Sequence, residues 1–172
     1  MTIHSAHPFQ PDESARNPVR QFRGRLASPV SIWTSNGRGQ PAGLTVSSML
    51  VADGDPGIVV GIVDPLADLW DALQVSQVAV VNLLGWAQRG LADVFGYVAP
   101  APGGPFRQGD WVETPWGPAL SATTWAGCRL APEPPAKVGW GLAVHLRIER
   151  VELAEPEVDA PLVHRRGRYG TF

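Results

Sequence analysis

The alternation of apolar and polar residues in the first third of the chain predicts a hairpin of two strands. Residues 30–35 place their side chains on opposite faces in turn, as successive residues of a strand do. Asn36-Gly37 follows and is a strong signal for a tight turn, because both residues tolerate positive φ. A second strand is predicted over residues 43–51, with Leu44 and Leu50 on its apolar face.

Three hydroxyl side chains follow a corner of small residues in this hairpin. Pro41-Ala42-Gly43 makes the corner, and Thr45, Ser47 and Ser48 come directly after it. Hydroxyls, together with backbone amides freed at a glycine corner, can bind an anion such as a phosphate. Threonine and serine are also ordinary in half-exposed strands, so a solvated strand face is the alternative interpretation.

The pattern downstream predicts further strands and short amphipathic helices. An apolar strand over residues 57–63 is followed by Asp64-Pro65, which is typical of an N-cap and a first helical residue. The apolar face of this helix is predicted to carry Leu66, Leu69, Trp70 and Leu73. Another strand at 78–84 contains one polar residue, Asn82, which is expected to satisfy buried backbone groups. A second helix is predicted from the apolar spacing between residues 84 and 95, which is marked by Leu84, Ala87, Gln88, Leu91, Val94 and Phe95.

The second half of the chain contains more strand signals and one long irregular segment. Residues 99–118 are rich in proline and glycine and include two tryptophans. We expect a loop here that packs over a site, over a partner subunit or on its own barrel. The last long strand begins near Leu142, and its apolar phase switches near Glu149 and Arg150, which indicates a β-bulge. These elements predict a mainly β barrel with two or three short helices.

Length and composition predict one domain. A chain of 172 residues with 44% hydrophobic and 17% charged residues is large enough for a hydrophobic core. Residues 1–18 show no periodicity and are expected to form a flexible arm ahead of a domain at 19–172. The domain is expected to open with a helix at 19–26. One side of that helix would carry Val19, Phe22 and Leu26.

Charge and cysteine content exclude several classes of function. A formal net charge of −2 gives no field that would draw nucleic acid or a membrane surface, and the Arg165, Arg166 and Arg168 cluster is expected to be solvated. No apolar run approaches a membrane span, so we expect a cytoplasmic protein. The one cysteine, Cys128, excludes an internal disulfide and a zinc site of paired cysteines. We expect it to be buried and unreactive.

Several motifs, taken in order, resemble the flavin reductase-like family, whose fold is an FMN-binding split β-barrel. The likeness begins with P-A-G-L-T-V-S-S at residues 41–48 and covers about residues 19–169. Its later parts are the strand at 57–63, V-A-V-V-N-L-L at 78–84, Gly117-Pro118, and P-L-V-H-R-R-G-R-Y at 161–169.

The resemblance implies a cofactor site along the second strand of the hairpin. The matching positions are Pro41, Ala42, Gly43, Leu44, Thr45, Ser47, Ser48, Val63 and Asp64. The implied cofactor is FMN, with FAD or the deazaflavin F420 as alternatives, and NAD(P)H is the implied co-substrate. No residue of the chain is expected to act as a nucleophile or metal ligand, because the flavin carries the electron chemistry.

The implied activity is an oxidoreductase that takes hydride from NADH or NADPH and reduces flavin or another acceptor. A flavin- or F420-binding protein without efficient nicotinamide turnover is one alternative, and an empty barrel serving as a dimeric scaffold is another. Members of the family are commonly homodimers, and a partner monooxygenase that receives reduced flavin is a further implied partner.

The chain also departs from the family pattern at two places. Asp64, Ala67 and Asp68 stand where relatives commonly carry serine, threonine or a basic residue, and carboxylates there would repel a phosphate. Gly139-Trp140-Gly141 stands where many relatives carry Gly-Asp-His. Weak nicotinamide affinity is therefore expected. The residues left to hold the dinucleotide are Trp140, His145, Arg165, Arg166, Arg168 and Tyr169.

Overall fold

The computed structural model describes residues 17–154 and 160–172. Most of the predicted arm at 1–18 therefore lies outside the described residues. Asn17 caps the first helix, because its side-chain oxygen accepts a hydrogen bond from the amide of Val19 at 2.9 Å.

The described residues form three α-helices, two 3₁₀ turns and thirteen strands, which are joined by loops. The α-helices are α1 (Pro18–Arg25), α2 (Asp68–Ser76) and α3 (Arg89–Phe95), and the 3₁₀ turns are Trp86–Gln88 and Pro105–Arg107. The strands are β1 (Ser28–Pro29), β2 (Ser31–Asn36), β3 (Pro41–Val46), β4 (Met49–Ala52), β5 (Ile58–Val63), β6 (Val78–Leu83), β7 (Trp111–Thr114), β8 (Gly117–Leu120), β9 (Trp125–Leu130), β10 (Ala136–Val138), β11 (Gly141–Glu152), β12 (Val163–Arg165) and β13 (Arg168–Gly170).

One large antiparallel sheet curls into a half-barrel. Its strand order is β3-β2-β6-β9-β11-β5-β4, with β10 added beside β11. The two edge strands, β3 and β4, are consecutive in the chain and are joined by Ser47-Ser48 alone. This short link brings the two edges together, and the amide of Ile62 in β5 donates to the carbonyl of Ser48 at 2.9 Å. The predicted mainly β architecture with short helices is confirmed.

Strand β2 is buried on both faces and separates two hydrophobic cores. Trp33 points into a core that contains Val59, Leu69 and Leu146, and it is fully buried. Its ring lies on Gly61, where an added Cβ would stand 2.5 Å from Cη2 of the indole. The indole N–H donates to Ser31 Oγ at 3.1 Å, so the one polar atom of this side chain is satisfied.

The second core lies on the other face of β2. Ile32 packs there with Leu120, Leu162 and Phe95. Phe95 is ringed by Phe106 and Trp111, with ring centroids 5.0 and 5.5 Å away in edge-on arrangements. The predicted second helix is present as α3, but it begins at Arg89, after the 3₁₀ turn Trp86–Gln88, and Leu84 lies outside it.

The predicted hairpin exists, but its turn and second arm differ from the prediction. The connection is the four-residue loop 37–40, in which only Gly39 has positive φ, so Asn36-Gly37 is not a two-residue turn. The predicted strand at 43–51 breaks at Ser47-Ser48 into β3 and β4. After the break the phase is reversed, so Met49 packs on the Trp33 core and Leu50 is 58% exposed.

Two other predictions were wrong, the start of the first amphipathic helix and the extent of the long loop. Helix α2 begins four residues after Asp64, because the Asp64 carboxylate accepts the amide of Leu66 at 2.9 Å in a turn that precedes the helix. Leu66 is consequently exposed, while Leu69 and Leu73 are buried as predicted. The segment at 99–118 was expected to be a loop, yet it contains β7 and the start of β8, which pair with each other.

Two detailed predictions are confirmed. Asn82 is fully buried, donates to the carbonyl of Ile32 at 3.0 Å and accepts the amide of Leu120 at 2.7 Å. The bulge in β11 lies between Ile148 and Arg150. The extra residue, Glu149, accepts hydrogen bonds from Arg129 and from the indole N–H of Trp116, and these bonds lower the pKa of its carboxyl.

The two ends of the described chain pack on each other. Strand β1 pairs with β12, which pairs with β13 in a separate three-stranded sheet. The C-terminal hairpin, β12 and β13, contacts the last turn of α1, where the amide of Arg166 donates to the carbonyl of Gly24 at 2.7 Å. The helix predicted at 19–26 is confirmed as α1, but its apolar side chains are exposed, with Phe22 at 69%.

The contact between Trp33 and Gly61 predicts an unequal response to two glycine substitutions. Gly61→Ala should lower the free energy of unfolding by about 1–3 kcal/mol, because a methyl group there overlaps a buried indole ring. Gly90→Ala, in α3 with no atom within 4 Å of the added Cβ, should raise it by about 0.5–1 kcal/mol. Urea denaturation of both variants tests the pair, and equal midpoints would contradict the role given to Trp33.

Candidate functional site

The nine residues predicted to hold a cofactor lie along β3 and at its two ends. Pro41, Ala42 and Gly43 line a groove at the start of the strand. Ser47 and Ser48 lie at the other end, beside the end of β5 with Val63 and Asp64. We call this second region the seam, and it consists of Ser47, Ser48 and residues 62–64.

The groove has a volume of about 800 Å³ and lies between α2 and the segment that follows α3. Its walls are partly apolar, with Ala72 and Val75 of α2 on one side and Tyr97 and Phe106 on the other. Gly43 forms part of its floor, and an added Cβ there would stand 2.6 Å from the ring of Phe95. The close approach of Phe95 to β3 therefore requires glycine at this position.

The seam presents two free hydroxyl groups. Ser47 is half-buried and Ser48 is exposed, and neither side chain hydrogen-bonds to any other residue within 17–154 and 160–172. Val63 is fully buried in the Trp33 core, backbone included, so a ligand at the seam would meet its neighbours and not Val63 itself. Asp64 is exposed, and one of its oxygens already accepts the amide of Leu66.

Two of the nine residues hold β3 in place. The hydroxyl of Thr45 donates to the carbonyl of Ala92 in α3 at 2.8 Å, which fixes the strand against that helix. Leu44 packs against the Trp33 core. Both side chains already contact other parts of the protein, so a ligand would meet the backbone of these residues.

Charge is distributed unevenly along β3. Asp68 and Asp71 line the groove from the first turn of α2, and Arg38 faces them. Burial and the nearby Asp68 carboxylate raise the pKa of Tyr97, in that order of importance. A phosphate is therefore disfavoured beside the start of α2.

An exposed tryptophan lies beside the seam. Trp140 is 96% exposed in the turn between β10 and β11. The neighbouring Gly141 contacts the end of β5, since an added Cβ would stand 3.1 Å from the carbonyl oxygen of Val63. His145, further along β11 and paired with Val60, is exposed and off the apolar face, as predicted.

The C-terminal hairpin is connected to the same region through α3. The hydroxyl of Tyr169 hydrogen-bonds to Asp93, and burial followed by this carboxylate raises the pKa of Tyr169 to about 12. Asp93 adjoins Ala92, whose carbonyl anchors Thr45 of β3. The hairpin that carries Arg165, Arg166 and Arg168 is thus held near the strand that leads to the seam.

Several groove residues had no recognisable signal in the sequence. Arg38, Tyr97 and Phe106 come from three separate segments and meet only in the folded chain. The density of proline and glycine around Phe106 did indicate a segment that packs over something, and Phe106 does cover the groove. Tyr97 has a φ of 58° directly after α3, and this conformation cannot be read from the local pattern.

Other kinds of chemistry find no support in the described ranges. Within them, no group of three or more histidine, cysteine or acidic side chains is placed to hold a metal ion. Cys128 is fully buried, and burial followed by the nearby Glu149 raises its pKa to about 12, so the thiol is inert as predicted. Among the same residues no helix has the length and apolarity needed to cross a bilayer.

Comparison with known proteins identifies the family. The model of the flavin reductase like domain matches residues 23–172. The FMN reductase (NADH) RutF of Methylorubrum extorquens is 33% identical over 168 residues, covering 93% of this chain and 79% of the relative.

Solved structures of similar fold agree. The nitrilotriacetate monooxygenase component B homologue from Mycobacterium thermoresistibile superposes with a TM-score of 0.80 at 22% identity, covering 90% of this chain and 84% of that one. The Streptomyces globisporus NADH:FAD oxidoreductase SgcE6, in complex with NAD and FAD fragments, gives 0.79 at 19% identity over 94% of each chain. With its curled sheet, its seam and a family match over nearly its whole length, the chain belongs to the flavin reductase-like family.

Proposed function

We propose that this protein is an NAD(P)H-dependent flavin reductase that binds its flavin along β3. The observation that carries the proposal is the pair of free hydroxyls at the seam, on the same strand as an apolar-walled groove. Family membership, and a relative named as an NADH-dependent FMN reductase, support the reaction class.

The residues of the seam and groove fit the two chemical parts of a flavin. Ser47 and Ser48 can each donate a hydrogen bond to a phosphate, and the edge of β3 offers backbone groups between them and Pro41. The ring system requires flat apolar contact, which Pro41, Ala42 and the groove walls supply. When bound, the flavin supplies the two-electron chemistry, and the protein binds and orients it.

FMN is the flavin we propose, with FAD and F420 as the alternatives to be tested beside it. Two seam hydroxyls suit a single terminal phosphate, and the relative from Methylorubrum extorquens is named as an FMN reductase. The exposed carboxylate of Asp64 limits how much further negative charge the seam can accept.

Trp140 is the proposed contact for the nicotinamide. An indole that is almost fully exposed beside Val63 offers a flat face to a ring stacked over the seam. It occupies the turn where many relatives carry Gly-Asp-His, so it would take over the positioning of the dinucleotide there.

A flavin- or F420-binding protein with little nicotinamide turnover is the second candidate. The observation that favours it is the exposed Asp64 carboxylate at the seam, where an anionic dinucleotide would approach. Turnover measurements separate the two candidates.

We propose two partners. The first is a second copy of the chain, because edge strand β4 exposes Leu50 and Val51 at 58% and 60% beside the seam. The second is an oxygenase that consumes reduced flavin, since one structural neighbour is a monooxygenase component and another is the reductase component of a two-component tryptophan halogenase.

Turnover tests the proposed reaction directly. Purified protein with FMN should oxidise NADH or NADPH well above the background of free flavin. Trp140→Ala should raise KM for the nicotinamide about two- to tenfold through loss of ring stacking, with kcat little changed. His145→Ala is the control and should leave both constants unchanged. Oxidation at the background rate with bound flavin would favour the second candidate.

The seam hydroxyls can be tested by flavin affinity alone. Ser47→Ala combined with Ser48→Ala should weaken FMN binding at least about tenfold, because each hydroxyl is expected to donate to a charged phosphate. Ser121→Ala, a half-buried hydroxyl far from the seam, serves as the matched control. Quenching of FMN fluorescence measures both, and an unchanged dissociation constant in the double variant would place the phosphate elsewhere.

The homodimer is tested by light scattering at micromolar concentration, where a dimer mass is expected. Leu50→Lys with Val51→Lys should give monomers, because charge on an exposed strand edge opposes association. Val98→Lys, which replaces a still more exposed apolar residue after α3, should leave the dimer intact. A monomer mass for the unaltered protein with flavin bound would rule the dimer out.

A further inference from the structure

Six exposed arginines lie in the two segments at the ends of the described chain, which pack on each other. The segments 17–29 and 160–172 contain no aspartate or glutamate, and their arginines contribute +6 to a chain of formal net charge −2, so the rest carries −8. We call this set the arginine patch. Its members are Arg20, Arg23, Arg25, Arg165, Arg166 and Arg168.

Contacts between the last turn of α1 and the C-terminal hairpin bring the two segments together. The amide of Arg166 donates to the carbonyl of Gly24 at 2.7 Å, and Nε of Arg165 donates to the carbonyl of Arg25 at 3.3 Å. Arg168 is the register partner of Arg165 across the hairpin. All six arginines are exposed, and no ion pair between described residues includes any of them.

The tip of the hairpin holds an arginine in an unfavourable backbone conformation. Arg166 has a φ of 52° and the following Gly167 a φ of 74°, so both central residues of this two-residue turn are left-handed. Glycine or asparagine adopts that conformation more easily than arginine. Strain of this kind concentrates at functional positions, which points to a use for the Arg166 side chain.

A purely structural role accounts for only part of the patch. Cations near the C-terminus of a helix are stabilised by its carbonyl groups, and Arg165 has this contact with α1. Arg166 contacts the helix through its backbone amide, which any residue other than proline could provide. The side chains of Arg166 and Arg168 make no hydrogen bond within the described ranges, so their guanidinium groups are free to bind an anion.

The patch lies within reach of the seam. The amide of Val30 donates to the carbonyl of Leu162 at 3.0 Å, and the next residue, Ser31, is paired with Val46 just before the seam. A path along the backbone from Val46 across to Ser31, along to β1 and across to β12 reaches Arg165 after roughly 25 Å. This length is an upper limit on the separation of Val46 and Arg165. An extended dinucleotide together with an arginine side chain spans a separation of this order.

We propose that the arginine patch binds the 2′-phosphate of NADPH, so that the reductase prefers NADPH over NADH. A phosphate monoester carries nearly two negative charges, and the planar guanidinium fork is the side chain that best matches its oxygens. The surplus of acidic residues in the rest of the chain leaves this patch as the favourable surface for such a group. The inference rests on the proposed function, because it assigns the co-substrate of the same reaction.

Binding of nucleotide fragments tests the patch without turnover or flavin. Titration calorimetry at low salt should show that adenosine 2′,5′-bisphosphate binds at least about tenfold more tightly than 5′-AMP, which lacks the 2′-phosphate. Arg166→Gly with Arg168→Gln should abolish this difference. Glycine suits the left-handed turn, so the double variant should fold with an unaltered or higher melting temperature. Arg147→Gln, which removes one exposed arginine on β11, should preserve the difference.

Kinetics then separate this inference from the proposed function. In the double variant KM should rise for NADPH and stay unchanged for NADH. Two results would overturn the role of the patch. One is equal affinity of the unaltered protein for adenosine 2′,5′-bisphosphate and 5′-AMP. The other is an equal loss of affinity for both nucleotides in the double variant. Oxidation of NADH with flavin would in that case still stand. Absence of oxidation with either co-substrate would refute the reductase activity, while the titrations would still decide the phosphate site.

Discussion

The packing of Trp33 against Gly61 is the constraint on which the rest of the fold depends. Strand β2 must bury both faces, and only a glycine in β5 leaves room for an indole between the two sides of the sheet. This contact sets how tightly the sheet curls, and therefore how close its edges come. Because β3 and β4 are joined by two residues, the curl also fixes where Ser47 and Ser48 stand.

Features that depend on local pattern could be predicted from the sequence. The bulge near Glu149 follows from a change of phase that any antiparallel pair must absorb, and Asn82 follows from a single polar residue in an apolar run. The family resemblance predicts a cofactor along β3, and this placement stays a prediction. The likeness to the flavin reductase-like family is confirmed by the family model and by the relative from Methylorubrum extorquens.

Features that depend on closure of the sheet could not be predicted. The apolar pattern at residues 43–51 is continuous, and nothing in it marks the break at Ser47-Ser48, which exists because β4 pairs with β5 on the far edge. The start of α2 was missed for a related reason, since the Asp64 side chain closes a turn that competes with helix initiation. The groove joins residues distant in sequence, so only the folded chain reveals Tyr97 and Phe106 beside Pro41.

The pairing of β1 with β12 has a consequence for synthesis on the ribosome. Strand β1 and α1 emerge early, but their partners in the C-terminal hairpin are among the last described residues to be made. Until then the carbonyl groups at the end of α1 and the backbone groups of β1 lack their partners in the C-terminal hairpin. Such a non-local contact forms slowly and leaves a nascent chain open to association with others. The surface that carries the arginine patch is therefore assembled last, after the barrel strands that it adjoins.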